Sequence, residues 1–244
     1  MAEPVRWLRR RVAIVTGASK GIGRATAVSI ARAGAHVVLA ARTAPALEQL
    51  AERIQRDGGA ATPAPTDVAR AEDVERLFVI AERVGPPTAL VCAGAILHRV
   101  PFEETTLQTW NETLQVNLTG TFLCCQAAFR AMRRAGGGRI VNIASLSGVY
   151  GTEKFPGLSA YNVSKFGVIG LTEALAVEGR AYGVTAICVS PGAVDTEMLR
   201  RANPQLRPGL TPDQVAALIM SLLDGPMAPA SGANIPLFSN AVSG

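Results

Sequence analysis

What most narrows the fold is an alternation, kept from Val12 to Phe238, of short apolar runs with segments of helical length. Strands are expected at Val12–Thr16, His36–Ala41, Ala60–Thr66, Ala89–Cys92, Arg139–Ala144, Val184–Val189 and Asn234–Phe238. Helical patterns fill the intervals at Ile22–Ala33, Pro45–Asp57, Ala71–Val84, Thr106–Arg134 (open to division into two), Ala160–Tyr182 and Pro212–Leu223. Runs that are apolar at nearly every position leave no face for water, and connections this long suit crossover helices. The pattern therefore predicts an α/β fold: a doubly wound parallel sheet with helices on both faces. Two prolines make 60–66 a weak strand, and Gly136, Gly137 and Gly138 close the long helical stretch. No linker or shift in composition divides the series, so a single domain over 1–244 is expected, with 1–10 as a flexible extension. Residues 196–210, rich in arginine, proline and asparagine, follow a strand. In open parallel sheets ligands lie beyond the carboxyl ends of the strands, so this segment is expected to cover substrate.

Charge and rare residues exclude several functions. The formal charge of +5 invites a nucleic-acid reading, but the only dense basic run is Arg6, Arg9, Arg10 and Arg11, and the other cations lie among acids. The charge fits solubility or attraction of acidic small molecules instead. Two histidines, His36 and His98, and the unpatterned Cys92, Cys124, Cys125 and Cys188 leave no metal-site or redox spacing. Buried, reduced thiols and a cytoplasmic location are expected. No apolar run of membrane-spanning length occurs, and the arginine-rich start is not followed by an export-signal pattern. Only three lysines, Lys20, Lys154 and Lys165, stand beside 21 arginines, which makes each lysine worth following.

The first strand runs into Thr16-Gly17-Ala18-Ser19-Lys20-Gly21-Ile22-Gly23, which opens the first helix. Glycines there allow a tight turn and close backbone approach, and the unpaired amides of a helix start can face a pyrophosphate. The spacing is GxxxGxG, only near the usual dinucleotide fingerprint, and alone it could be structural. The second strand ends Leu39-Ala40-Ala41-Arg42 without the acid that would accept from an adenosine ribose. Lys20 and Arg42 could hold a 2′-phosphate between them, which points to NADP(H); Arg42 as a merely solvated residue is the alternative. Asp67, before Val68, could accept from the adenine amine or cap a helix. Ala93-Gly94 offers small residues where a ring or ribose must approach the backbone.

Tyr161 and Lys165 lie four apart on a helical pattern, hence on one face. An ammonium beside a phenol favours the phenolate, so Lys165 is expected to lower the Tyr161 pKa while holding the cofactor ribose. A phenol tuned this way can pass a proton to or from an alkoxide, and Ser145 can orient the oxygen. Isolated, the pair could belong to any amphipathic helix; the glycine turn and Ser145 give it meaning. Asn117 sits within an apolar helical pattern, where an amide needs specified partners. It could anchor a water between Lys165 and solvent, or be purely structural.

Together these residues resemble the classical short-chain dehydrogenase/reductases, over roughly Arg11 to Phe238. The resemblance rests on TGASKGIG at 16–23, DV at 67–68, AG at 93–94, Asn117, IAS ending at Ser145, YNVSK at 161–165 and SPGAVDT at 190–196. It implies a Rossmann-type fold and a catalytic tetrad of Asn117, Ser145, Tyr161 and Lys165. It also implies that Pro191, Gly192, Val194 and Thr196 border a nicotinamide, and that the protein is a homotetramer or homodimer. The implied reaction is NADPH-dependent reduction of a ketone or 3-oxoacyl carbonyl to a secondary alcohol. The substrate is then a small carbonyl or alcohol compound, or an acyl thioester. The alternatives are an NADP-dependent alcohol or sugar dehydrogenase and an inactive NADP-sensing regulator. Three departures stand out. Val91-Cys92-Ala93-Gly94 replaces the family's NNAG, the Ser145–Tyr161 interval carries about three extra residues through 151–157, and Ile235-Pro236-Leu237-Phe238 replaces the common VDGG. The extra loop is expected over the substrate side.

Overall fold

The computed structural model describes residues 7–225 and 230–238. Strands β1 (Val12–Thr16), β2 (His36–Ala41), β3 (Ala60–Pro65), β4 (Pro87–Cys92), β5 (Gly138–Ile143), β6 (Val184–Pro191) and β7 (Asn234–Leu237) form one sheet. Its order is β3-β2-β1-β4-β5-β6-β7, and every pairing is parallel. The prolines of the weak strand have a simple accommodation. β3 is an edge strand, with Pro63 opposite Leu39 and Pro65 opposite Ala41, and an edge tolerates a missing amide donor. Pro236 sits likewise on the opposite edge, in β7 against Ser190.

Alternation along each strand divides the core into two faces. Ala13 and Val15 of β1 and Val91 of β4 pack with α1 (Gly21–Arg32), α2 (Ala44–Arg56) and α8 (Pro212–Asp224). Ile14, Leu90 and Cys92 face the other way, toward α3 (Ala71–Val84) and α5 (Gly120–Arg134). Fully buried side chains such as Ile14, Leu47, Leu77 and Leu90 are each worth roughly 1.5–3 kcal/mol of transfer free energy. Helix α6 (Ser159–Gly179) buries Val168 beside Cys188 of β6 and Ala144.

The stretch 106–134 is one helical rod with a widened turn rather than two separate helices. α4 (Leu107–Leu114) passes through a π-helical turn at Gln115–Thr119 directly into α5, and Leu114 and Gly120 on either side keep helical dihedrals. Such turns insert one residue and redirect the side chains within them; Asn117 lies in this one.

Of the expected extension 1–10, Trp7–Arg10 form turns packed on the domain, and residues 1–6 lie outside the described residues. Leu8 is fully buried and its amide donates to Asp224 Oδ1 at 2.8 Å. The Arg11 and Arg139 guanidinium groups lie 4.4 and 4.3 Å from the Trp7 ring centroid. Arg139 also donates to the carbonyls of Leu223 and Gly225 at the end of α8.

The strand order reverses between β1 and β4. Connections leave in opposite directions there, which opens a crevice at the carboxyl ends of those strands. The 196–210 segment beside it contains a short helix, α7 (Glu197–Ala202), where the sequence pattern gives no helix. Thr196 caps it, its Oγ1 accepting from the Leu199 amide at 3.2 Å. The base of the segment is closed by a parallel bridge between Val194 and Leu210.

Candidate active site

A cavity of about 880 Å³ opens at these strand ends. Gly17, Ser19, Lys20, Gly21, Ile22 and Gly23 line one end, followed by Arg42, Asp67, Val68, Ala93 and Gly94. Ser145, Tyr161 and Lys165 line its middle, and Pro191, Gly192, Val194 and Thr196 flank them. Asn117 stands behind the wall, with Val116 facing the cavity instead.

The glycine turn is shaped by contact between backbones. Gly17 has φ +66°, and a Cβ on it would come within 2.7 Å of the Gly94 nitrogen and 2.8 Å of the Ala93 oxygen; one on Gly23 would sit 2.3 Å from the Gly17 oxygen. Thr16 adds a tie, its Oγ1 accepting from the Gly94 amide at 3.3 Å. Helix α1 begins at Lys20 with no side-chain cap and no acid in its first turn. Its leading amides therefore face the cavity mouth as a cradle for an anion, which fits a dinucleotide's pyrophosphate.

At the adenosine end the two expected cations differ. Arg42 is exposed and has no ion pair or hydrogen bond among the described residues. Lys20 donates to Glu197 Oε2 on α7 at 2.9 Å, across the mouth of the cavity. Their side chains are 63% and 41% exposed, so the pair is a surface one that another anion can displace from Lys20. Asp67 makes a local turn, its Oδ1 accepting from Ala69 at 3.1 Å, while Arg70 occupies the cap position of α3.

The middle of the cavity holds three buried polar side chains from two elements. Ser145 follows β5, and Tyr161 and Lys165 stand one turn apart on α6; they are 9%, 8% and 4% exposed. Gly148 explains how the serine turn reaches the helix. A Cβ there would lie 2.5 Å from the Lys165 carbonyl carbon, so only glycine lets the two backbones touch. The Ser145 hydroxyl faces the Tyr161 phenol closely enough to oppose part of the rise in its pKa. Lys165 Nζ donates to the Ile143 carbonyl at 2.8 Å and lies 5.6 Å from the Tyr161 ring centroid.

The electrostatics correct the expected direction for Tyr161. Burial pushes its pKa up to about 12, only partly opposed by the Ser145 hydroxyl. Burial also brings Lys165 down to about 8. Removing water from around each group disfavours its charged form, and this outweighs the other contributions at both.

Asn117 is fully buried and its amide is committed. Nδ2 donates to the Ile96 carbonyl at 2.9 Å and to Ser164 Oγ at 3.1 Å, and Oδ1 accepts from the Ile96 amide at 2.8 Å. It clamps the segment after β4 to α6 as a false strand partner would. Cys92, which stands in that strand for an asparagine, is buried beside Cys124 and Cys125, and these surroundings push its thiol pKa well up. The polar support comes instead from Asn142 opposite it, donating to Thr172 Oγ1 at 3.0 Å and accepting from Cys125 Sγ at 3.4 Å. All four cysteines are buried and free of disulfides. Among the described residues no cluster suits a metal ion, and no helix is long and apolar enough to cross a membrane.

The far end of the cavity is built by the extra loop together with Arg99, a residue for which the sequence gives no role. The extra loop contributes Gly151, Thr152, Glu153 and Phe155. Lys154 knots it, donating to the carbonyls of Leu146 at 3.2 Å and Val149 at 2.6 Å and to Thr152 Oγ1 at 2.7 Å. Arg99 links this loop to α7, through Nε to the Pro156 carbonyl at 3.3 Å and Nη1 to that of Ala202 at 3.0 Å.

Comparison with known proteins agrees with this geometry. Residues 11–207 match the family model described as short chain dehydrogenase. The chain is 35% identical over 231 residues to a 3-oxoacyl-[acyl-carrier-protein] reductase of Synechocystis, covering 91% of this chain and 92% of that one. It is 36% identical over 238 residues to a D-threitol dehydrogenase of Mycolicibacterium smegmatis, covering 92% and 90%. A solved structure from Beutenbergia cavernae, put forward as an NAD(P)-dependent gluconate 5-dehydrogenase and holding NADP at low occupancy, superposes with a TM-score of 0.89. It is 31% identical and the match covers 99% of this chain and 100% of that one.

Proposed function

The chain belongs to the short chain dehydrogenase family, and on that premise we propose that it is an NADPH-dependent reductase that turns a carbonyl into a secondary alcohol with Tyr161 as the acid. The observation that carries this reading is the buried contact of Tyr161 with Ser145 and Lys165 in the same cavity as the glycine turn. The cradle of Gly17, Ser19, Gly21, Ile22 and Gly23 is assigned to the pyrophosphate and Arg42, with Lys20 once released from Glu197, to the 2′-phosphate. Asp67 and Val68 are assigned to the adenine, Ala93 and Gly94 to the ribose side, and Pro191, Gly192, Val194 and Thr196 to the nicotinamide. NADP in the Beutenbergia cavernae structure supports the cofactor, as does the lack of an acid at the end of β2.

When bound, NADPH supplies the hydride for the carbonyl carbon. Ser145 donates to the carbonyl oxygen and orients it, and Tyr161 passes its proton to that oxygen. A phenol held near pKa 12 keeps its proton at neutral pH, which is the form reduction requires. Lys165, with its pKa at about 8, is largely charged at pH 7 and stabilises the phenolate as the proton leaves. Asn117 acts by position: it clamps Ile96, and its widened turn supports a water through which Lys165 regains contact with solvent. The 196–210 segment covers the substrate.

Assembly as a homotetramer or homodimer is part of the proposal. Phe122 on α5 and Val163 and Phe166 on α6 are 42%, 45% and 40% exposed, an apolar surface suited to a second copy. The four unpaired thiols suit a cytoplasmic, reducing location. The test is NADPH oxidation across acyl thioesters, aliphatic and aromatic ketones and sugars, with the corresponding alcohols and NADP⁺ run in parallel. Faster carbonyl reduction with NADPH than with NADH is expected. Turnover only of alcohols would favour the dehydrogenase direction, and turnover of neither would end the proposal.

A further inference from the structure

Beyond Tyr161 the cavity is walled chiefly by apolar side chains, among them Leu97, Leu146, Val149, Phe155, Met198 and Leu206. Two exposed arginines, Arg99 and Arg207, line the same cavity. Arg99 is held in place by the Pro156 and Ala202 carbonyls, and its Cγ lies 3.0 Å from where a Cβ on Gly157 would sit. Those acceptors are neutral, so they orient the group without cancelling its charge. Arg207 has no ion pair or hydrogen bond among the described residues.

The neighbouring cations are spent differently. Arg200 is paired with Asp195 and Arg201 with Glu197, and Glu197 also takes Lys20. The acids nearest α7 are thus consumed by cations other than Arg99 and Arg207. Glu153 is the remaining carboxylate on this side of the cavity; it is exposed and pairs with neither arginine. Both arginines are exposed, so their charge stands at the solvent side of the cavity, where unpaired positive charge over an apolar cleft draws an anion toward it. A guanidinium held by two carbonyls is already oriented before an anion arrives, which spares the ordering cost of binding.

Resting on the reductase reading above, we infer that the substrate is itself an anion: a carbonyl compound with an apolar segment and a carboxylate or phosphate received by Arg99 and Arg207. The two sources of that charge, a small oxo acid or the phosphates of an acyl-thioester carrier, are separated by the test. Initial rates of NADPH oxidation are compared within two matched pairs, 4-oxopentanoate against its methyl ester and acetoacetyl coenzyme A against acetoacetyl N-acetylcysteamine. The anionic member of at least one pair is expected to show a kcat/KM about tenfold or more above its neutral partner. The pair that shows it identifies carboxylate or phosphate. Arg99→Met combined with Arg207→Met should bring that ratio close to one, and Glu153→Gln should raise it. Arg207→Met alone, which breaks no bond seen in the structure, carries the comparison if the double variant melts early, and should lower the ratio on its own. Equal rates within both pairs, or a preference that survives loss of the arginines, overturn the inference. NADPH binding and turnover of neutral ketones are measured alongside: their absence defeats the reductase reading, whereas neutral turnover without anion preference defeats this inference alone.

Discussion

Around Gly17 the cavity is shaped by backbone atoms of neighbouring turns that leave no room for a Cβ, whereas around Arg99 it is shaped by side chains reaching carbonyls 57 and 103 residues away. The first construction is rigid and depends on small residues in a short segment, so changing it removes binding outright. The second is distributed, and any one of its ties can be altered while the others hold the wall. The contrast separates a cofactor end that every substrate must use from a substrate end that is free to vary.

The largest expected break is at the rigid end. Gly17→Val places a β-branched side chain against the Gly94 and Ala93 backbone at a positive φ, and should weaken NADPH binding by about 1000-fold with a lower melting temperature. Affinity within a few-fold of the parent by fluorescence titration would mean that the turn is not the cradle. Next is Arg42→Asp, which removes the exposed guanidinium and adds repulsion; NADPH affinity should fall about 100-fold with little change for NADH. Equal losses for the two cofactors would remove the 2′-phosphate from the account. At the distributed end, Lys154→Met removes one donor each from the Leu146 and Val149 carbonyls, leaving them to Thr152 Oγ1, and loosens the loop after Ser145. An increase of about tenfold in KM for the carbonyl substrate is expected, with NADPH affinity unchanged. A parallel loss of cofactor affinity would show that the two ends are not separable.

The same contrast governs what could be read from the sequence. Strand β1 and the helices on both faces are legible because each depends on local apolar spacing, and the residues expected around a cofactor line one cavity. The prolines of β3 make its pattern weak in the sequence because edge position is a property of the sheet, not of the segment. Helix α7 was missed although Thr196 before Glu197, and Arg200 and Arg201 at its end, are ordinary cap and dipole signals. Asn117 announced that it needed partners but not which, since Ile96 and Ser164 are 21 and 47 residues distant. Lys20 was read for a phosphate without its Glu197 partner, 177 residues on. The rise of the Tyr161 pKa was also hidden. Proximity to Lys165 could be counted from an i,i+4 spacing, but the burial that outweighs it could not.

The central claim is that Tyr161 delivers the proton while the rest of the cavity binds the cofactor without it. It is tested most directly by Tyr161→Phe, measured both for NADPH affinity by fluorescence titration and for single-turnover reduction of a carbonyl substrate that the parent accepts. The account predicts NADPH affinity within a few-fold of the parent and a rate lower by about 1000-fold or more. A variant that reduces the substrate at the parent's rate would contradict it.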